Sequence, residues 1–137
     1  MMYKFRSMYI DAEKNGPQWA KVGDDRCTKF GRIIRLWHID ELPQIINVLK
    51  GEMSIVGPRP EREYFYEKFE KTIPDFRARL LVDQGLTCIA QVNGCYDLTP
   101  AERLVYDVEY MEKQSFWTDL KCVLKTFTVL VNHKGAR

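Results

Sequence analysis

Asp40 and Glu41 are adjacent carboxylates at the start of an apolar-periodic run. A carboxylate nucleophile must be ionised, and cations must neutralise any phosphate that it approaches. Arg35 lies five residues before Asp40, so a short turn would bring its guanidinium to an anion held there, although a solvated arginine fits the spacing as well. Arg59 sits within Gly57-Pro58-Arg59-Pro60, where two prolines restrict φ and push the residues before them out of the helical region. A turn of this kind fixes where an arginine points, which a bidentate phosphate contact exploits. His38 is of the right type for a base, but a lone histidine in a turn is as readily structural. The acidic pair also has a plain reading as a helix cap and a first-turn charge.

The elements that must position these residues follow from periodicity. Leu42, Ile45, Ile46 and Leu49 fall on one helical face, and Gly51 suits the stop. Asp40 is then expected at or near the N-cap with Pro43 in the first turn, where the positive helix end keeps the carboxylate ionised. Upstream, Thr28 caps a predicted helix whose stripe is Phe30, Ile33, Ile34 and Trp37, flanked by Arg32 and Arg35. Residues 3–10 alternate as a short strand with Lys4 and Arg6 on one side, and 11–25, with Asn15-Gly16-Pro17, read as a loop.

Beyond the central helix, Met53 to Val56 reads as a buried extended segment. Pro60 is expected to open a helix to about Lys71 that buries Tyr64, Phe65 and Phe69, and Pro74 a short one carrying Arg77 and Arg79. Leu86 to Val92 is β-prone and ends in an Asn93-Gly94 turn. Thr99-Pro100-Ala101-Glu102 is a capping box opening a helix to about Lys113. A last helix, Ser115 to Asn132, aligns Leu120, Val123, Leu124, Phe127, Leu130 and Val131 on one face, with Trp117, Lys121 and Lys125 elsewhere. That face is expected to pack on the core, with an anionic lipid surface as the other occupant. The fold class is α+β: a mostly helical single domain, residues 1–137, with a small β-sheet or hairpin.

Composition sets outer limits. The 137 residues are enough for one domain with a core, and a net charge of +2 argues against a strongly basic nucleic-acid binder. The four cysteines (Cys27, Cys88, Cys95, Cys122) form no CxxC pair, which disfavours zinc and suits reduced thiols. No run of 18 apolar residues is present.

Four strings carry a resemblance: KFRSM at Lys4 to Met8, DELPQ at Asp40 to Gln44, NVLKGEMSIVGPRP at Asn47 to Pro60, and AQVNG at Ala90 to Gly94. From about Tyr3 onward the chain resembles the bacterial sugar transferases, the monotopic phosphoglycosyl transferases also described as undecaprenyl-phosphate sugar phosphotransferases. The stretch from Tyr96 to Lys121 resembles the exopolysaccharide and capsule branch. The resemblance implies transfer of a phosphosugar from a UDP-sugar to polyprenyl phosphate with release of UMP. It makes Asp40 the nucleophile that carries a covalent phosphosugar. It makes Glu41 a magnesium ligand that assists proton transfer, and Arg35, Arg59 and Lys4 contacts to phosphate and nucleotide. It further implies work at a membrane surface, on the cytoplasmic face of the bacterial inner membrane in the full-length form.

Three departures qualify that picture. Asp83 stands where relatives carry a basic residue, and Cys88 where they carry glycine. Cys95-Tyr96-Asp97 offers no arginine where some branches have one. The family's N-terminal membrane helix is missing from this sequence, which predicts a soluble or peripheral chain with weak activity or none. Two other readings stand beside the enzyme: a non-catalytic remnant that binds a nucleotide-sugar or a partner, and nucleic-acid binding through Arg32, Arg35, Arg77 and Arg79.

Overall fold

The computed structural model describes residues 1–14, 16–19, 23–94 and 98–131. Two short strands, β1 (Ser54–Val56) and β2 (Gly85–Thr87), pair in parallel with Ser54 opposite Gly85 and Val56 opposite Thr87. A parallel pair needs a crossover rather than a hairpin. Between the strands run a helix, Glu63–Glu70, and a 3-10 turn, Phe76–Leu80. The helices are α1 (Lys29–Leu36), α2 (Gln44–Leu49), α3 (Glu63–Glu70), α4 (Ile89–Gly94), α5 (Pro100–Glu112) and α6 (Phe116–Val131). The architecture is α+β, as the sequence predicts.

The core is modest. Val56, Tyr110 and Cys122 are buried together, with Ile89, Val92 and Val123 packed against them. The Tyr110 hydroxyl lies 2.8 Å from Asp119 Oδ1 and 3.1 Å from the Val56 carbonyl oxygen, sharing its one proton between them and tying α5 to β1 and α6. An aromatic group of Trp19, Phe65, Phe69 and Phe76 holds α3 against the 3-10 turn after it. Gly57 and Gly85 let the two strands meet closely where the Pro58-Arg59-Pro60 turn departs. A Cβ on Gly57 would collide with the Asp83 carbonyl oxygen, and one on Gly85 with the Gly57 backbone.

Several expectations hold. Thr28 Oγ1 accepts from the Gly31 N–H at 2.8 Å to cap α1, and Thr99 and Glu102 form the capping box of α5. Cys27, Cys88 and Cys122 are free, buried thiols. Cys95-Tyr96-Asp97, Asn15 and the end of the last helix at Asn132 lie outside the described residues.

Other boundaries differ, each for a local reason. Residues 3–10 form no strand; a single antiparallel bridge joins Met8 to Cys27. Backbone groups of this segment are instead satisfied by the Asn47 side chain and the Asp40 carbonyl, at 3.0 Å each. Pro60 does not open α3, which starts at Glu63 with Arg62 as its cap. The Arg59 carbonyl before it is taken by Arg79 Nη2 at 3.1 Å, holding the turn extended. The predicted strand at 86–92 stops at Thr87, because β1 offers only three residues to pair with. Cys88 Sγ then accepts from the Gln91 N–H at 3.3 Å and the chain turns into α4.

The largest difference is the facing of three helices. Leu42, Ile45, Ile46 and Leu49 point outward, with Leu49 82% exposed, while Gln44 and Asn47 are buried. On α1, Phe30, Ile33 and Trp37 are exposed and Ile34 is buried. On α6, Leu120, Leu124, Phe127 and Val131 are exposed and Cys122 is buried, so the core-packing expectation is wrong for most of that stripe. Asn47 explains α2: it accepts from the Tyr3 N–H and donates at 2.7 Å to both the Met1 carbonyl and Glu52 Oε2. A helix that must satisfy an extended backbone segment turns its polar face inward.

Candidate active site

His38 sets the geometry of the acidic pair. It is one of two described non-glycine residues with positive φ, at 53°, and this left-handed residue ends α1 and starts a 3-10 turn, Ile39–Glu41. Asp40 is therefore inside that turn rather than at the N-cap of α2, and Pro43 itself occupies the cap position. The expected placement of Asp40 at the positive N-terminal end of α2 is therefore not what the chain adopts.

A cavity of about 170 Å³ opens over this turn. Lys4, Arg35, His38, Asp40, Glu41 and Arg59 all line it, so the acidic pair, the histidine beside it and the three cations expected to meet phosphate converge on one place. Lys4 Nζ is 3.0 Å from Glu41 Oε1. The Arg59 guanidinium grips Glu41 with Nη2 on Oε1 and with Nη1 3.3 Å from Oε2, and it also donates to Gln91 Oε1 at 3.1 Å. Arg35 is fixed by Nε on Ser7 Oγ at 2.8 Å and Nη1 on Cys27 Sγ at 3.0 Å. The sharp approach of α1 to Ser7 requires Gly31, where a Cβ would strike the Ser7 carbonyl.

The two carboxylates have opposite electrostatics. Burial opposes ionisation of Glu41, but Arg59 and Lys4 outweigh it and hold its pKa at about 2. Asp40 is 7% exposed, and burial followed by the Glu41 charge pushes its pKa up, against Lys4, Arg35 and His38. Among the described residues, no side chain hydrogen-bonds the Asp40 carboxylate. Burial also lowers the His38 pKa, with Glu41 opposing and Arg59 adding to the shift.

Such a carboxylate suits nucleophilic attack better than a saturated one does. A poorly solvated anion without a tight partner keeps its lone pairs for an electrophile. Glu41, by contrast, is too acidic and too fully engaged to accept a proton near neutral pH. As a hard oxygen donor it fits magnesium, though a metal there must take an oxygen from Lys4 or Arg59. The described residues contain no cluster of three or more metal-ligating side chains.

The far end of the cavity escaped the sequence reading. Gln18, Trp19, Glu61, Phe65 and Arg103 line it, brought from the 11–25 loop, the segment after the Pro58-Arg59-Pro60 turn, α3 and α5, with no fixed spacing to Asp40. Arg103 lies 4.9 Å over the Trp19 ring and 3.3 Å from Glu61 Oε1. Beneath the site, the buried pair Arg79–Asp107 (2.7 Å) fastens the Arg59 carbonyl, so Arg79 is turned away from any nucleic acid. Arg77 is likewise engaged by Glu63 and by Glu70, the latter at 2.8 Å. Asp83 is exposed and Cys88 is buried, and neither lines the cavity.

The family model described as bacterial sugar transferase matches residues 1–133. A UDP-N-acetylgalactosamine-undecaprenyl-phosphate N-acetylgalactosaminephosphotransferase of Aeromonas hydrophila is 41% identical, over 99% of this chain and 33% of its own length. A UDP-glucose:undecaprenyl-phosphate glucose-1-phosphate transferase of Caulobacter vibrioides is 41% identical, over 97% of this chain and 52% of its own. A putative undecaprenyl-phosphate N-acetylgalactosaminyl 1-phosphate transferase of Bacillus subtilis is 60% identical over 58% of this chain and 44% of its own length. The chain thus spans from a third to about half of these curated relatives. With the family model covering nearly all of it, and with the motif residues gathered around one cavity, the chain belongs to the bacterial sugar transferase family.

Proposed function

We propose that this domain transfers a phosphosugar from a UDP-sugar to polyprenyl phosphate, an early membrane step in building exopolysaccharide, capsule or another glycoconjugate. The observation that carries this is Asp40: a buried carboxylate without a hydrogen-bond partner among the described residues, in a cavity lined by Lys4, Arg35 and Arg59. In the first step, an Asp40 oxygen attacks the sugar-linked phosphorus. A new P–O bond forms, the pyrophosphate bond breaks, and UMP leaves with the bond's electron pair. In the second, an oxygen of the polyprenyl phosphate attacks the same phosphorus. The bond to Asp40 breaks, giving the lipid-linked diphosphosugar and the free carboxylate. Arg35, Arg59 and Lys4 neutralise the phosphate oxygens, a contribution of several kcal/mol per step in sites of this kind. Magnesium, held by Glu41 with the substrate phosphates, would supply further neutralisation of the diphosphate.

The outward apolar faces of α1, α2 and α6 belong to the same reading. No described helix is long and apolar enough to cross a membrane. Exposed faces this large mark an interaction surface, and a bilayer interface would cover them. We place that contact on the cytoplasmic face of the inner membrane, where a UDP-sugar donor is available. A panel of UDP-sugars with magnesium tests the function: UMP release by the wild-type protein, falling at least about a thousandfold in Asp40→Asn, is expected. Turnover unchanged in that variant contradicts it.

A further inference from the structure

A separate cavity of about 220 Å³ lies between α4, α5 and α6 and shares no lining residue with the catalytic one. Its inner wall is apolar, where Ile89 and Val92 pack against the core at Cys122. Burial pushes the Cys122 thiol up to about 11, so it is uncharged at neutral pH. The charged lining is three exposed lysines, Lys113, Lys121 and Lys125, against one carboxylate, Glu109, which leaves the pocket positive. Lys113 Nζ takes up Glu109 Oε1 at 2.8 Å, and Lys125 Nζ donates to the neutral Asn93 Oδ1 at 3.0 Å. Lys121 has no hydrogen-bond or ion-pair partner among the described residues. Thr118 Oγ1 donates to the Lys113 carbonyl at 2.8 Å, which joins the end of α5 to the start of α6 and frames the pocket.

We propose that this pocket binds the phosphate headgroup of an anionic glycerophospholipid, with the ammonium groups of Lys121 and Lys125 on the phosphate oxygens. The inference rests on the membrane contact proposed for α6 and not on the transfer reaction. Lys121 and Lys125 each follow an exposed leucine, Leu120 and Leu124, so their ammonium groups stand one turn apart at the border of the apolar face. When such a face lies in a bilayer interface, lysines at its edge reach the headgroup phosphates while their stems stay on the apolar side. The apolar inner wall suits the glycerol and ester end of a lipid, whereas a free phosphate ion has nothing to place there. A headgroup held here fixes how α6 is rotated in the interface, and with it the side of the domain that faces the lipid.

Calorimetric titration of the whole chain with dihexanoyl phosphatidylglycerol, kept below its micelle-forming concentration, tests the site. One-to-one binding is expected, and Lys121→Gln combined with Lys125→Gln should weaken it at least about tenfold. Glu109→Gln removes the carboxylate from the lining and should tighten binding about threefold, a gain that misfolding does not imitate. Lys68→Gln with Lys71→Gln takes the same charge from α3 and its end, and should bind as the wild type does. No binding by the wild type, or an equal loss in the α3 control, overturns the proposal, the latter because bulk charge would then be the cause. Glycerol phosphate binding as tightly as the lipid also overturns it, in favour of a soluble phosphate ligand. Sedimentation of the wild type with anionic vesicles reports on the membrane contact, and UMP release on the transfer reaction, each separately from this titration.

Discussion

Glu41 and Asp40 are neighbours whose pKa values are shifted in opposite directions. Glu41 is kept ionised by Arg59 and Lys4, with its pKa at about 2 against an ordinary 4.5. A depressed carboxyl pKa stabilises the fold above the ordinary value, and that stability is lost as pH falls from about 4.5 toward 2. Two to three pH units correspond to about 3 kcal/mol. Arg59→Ala removes the main cation and leaves a buried carboxylate half-paired, so it is expected to lower stability by about 3 kcal/mol at neutral pH. The loss should shrink in acid as Glu41 protonates, which thermal unfolding from neutral pH down into the acid range would show; a uniform loss at every pH contradicts it. For Asp40 the sign is reversed. Its pKa is raised, so its charge destabilises the fold once pH exceeds the ordinary carboxylate value. Asp40→Asn should therefore melt at a higher temperature than wild type at neutral pH while losing function, and a lower melting temperature contradicts this.

Among the secondary-structure elements, the positions of most helices are legible in the sequence, α4 within the β-prone stretch at 86–92 being the exception, and helix facings are not. Thr28 and the Thr99–Glu102 box marked two helix starts because a cap is a local hydrogen-bond device. The stripes at Phe30 and Leu42 marked helices equally well, yet periodicity cannot tell which face is covered. Around α2 the decision falls to Asn47, whose partners Met1 and Tyr3 are 46 and 44 residues away in sequence. The acidic pair was found but misplaced, because the left-handed turn at His38 has no sequence signal of its own. Glu61 and Arg103 reach the cavity through tertiary packing and were invisible to spacing. The inverted facing makes a contrast: Asn47→Leu should cost about 2–3 kcal/mol by stranding the Tyr3 N–H and the Met1 carbonyl, whereas Leu49→Gln should stay within about 0.5 kcal/mol. Chemical denaturation measures both, and the reverse ranking would contradict the arrangement.

Across the molecule as a whole, a small core supports a site whose parts come from distant points of the chain. Gly57 and Gly85 bring the strands together, and the buried Arg79–Asp107 pair fixes the turn that aims Arg59. Gly57→Ala should destabilise the whole fold by several kcal/mol, because the obstruction is backbone rather than a movable side chain. The apolar faces of α1, α2 and α6 surround this core on the outside and predict lipid binding. Sedimentation with anionic vesicles should fall at least tenfold when Leu49→Glu and Leu124→Glu are combined, and equal sedimentation would remove the membrane face. The mechanism stands or falls on Asp40 carrying the phosphosugar, and the intact mass of the protein after incubation with UDP-sugar and magnesium reads that out. A mass increase of one phosphosugar is predicted in the wild type, absent in Asp40→Asn and discharged by polyprenyl phosphate. An adduct that persists in Asp40→Asn, or transfer to lipid with no adduct at any time, would contradict it.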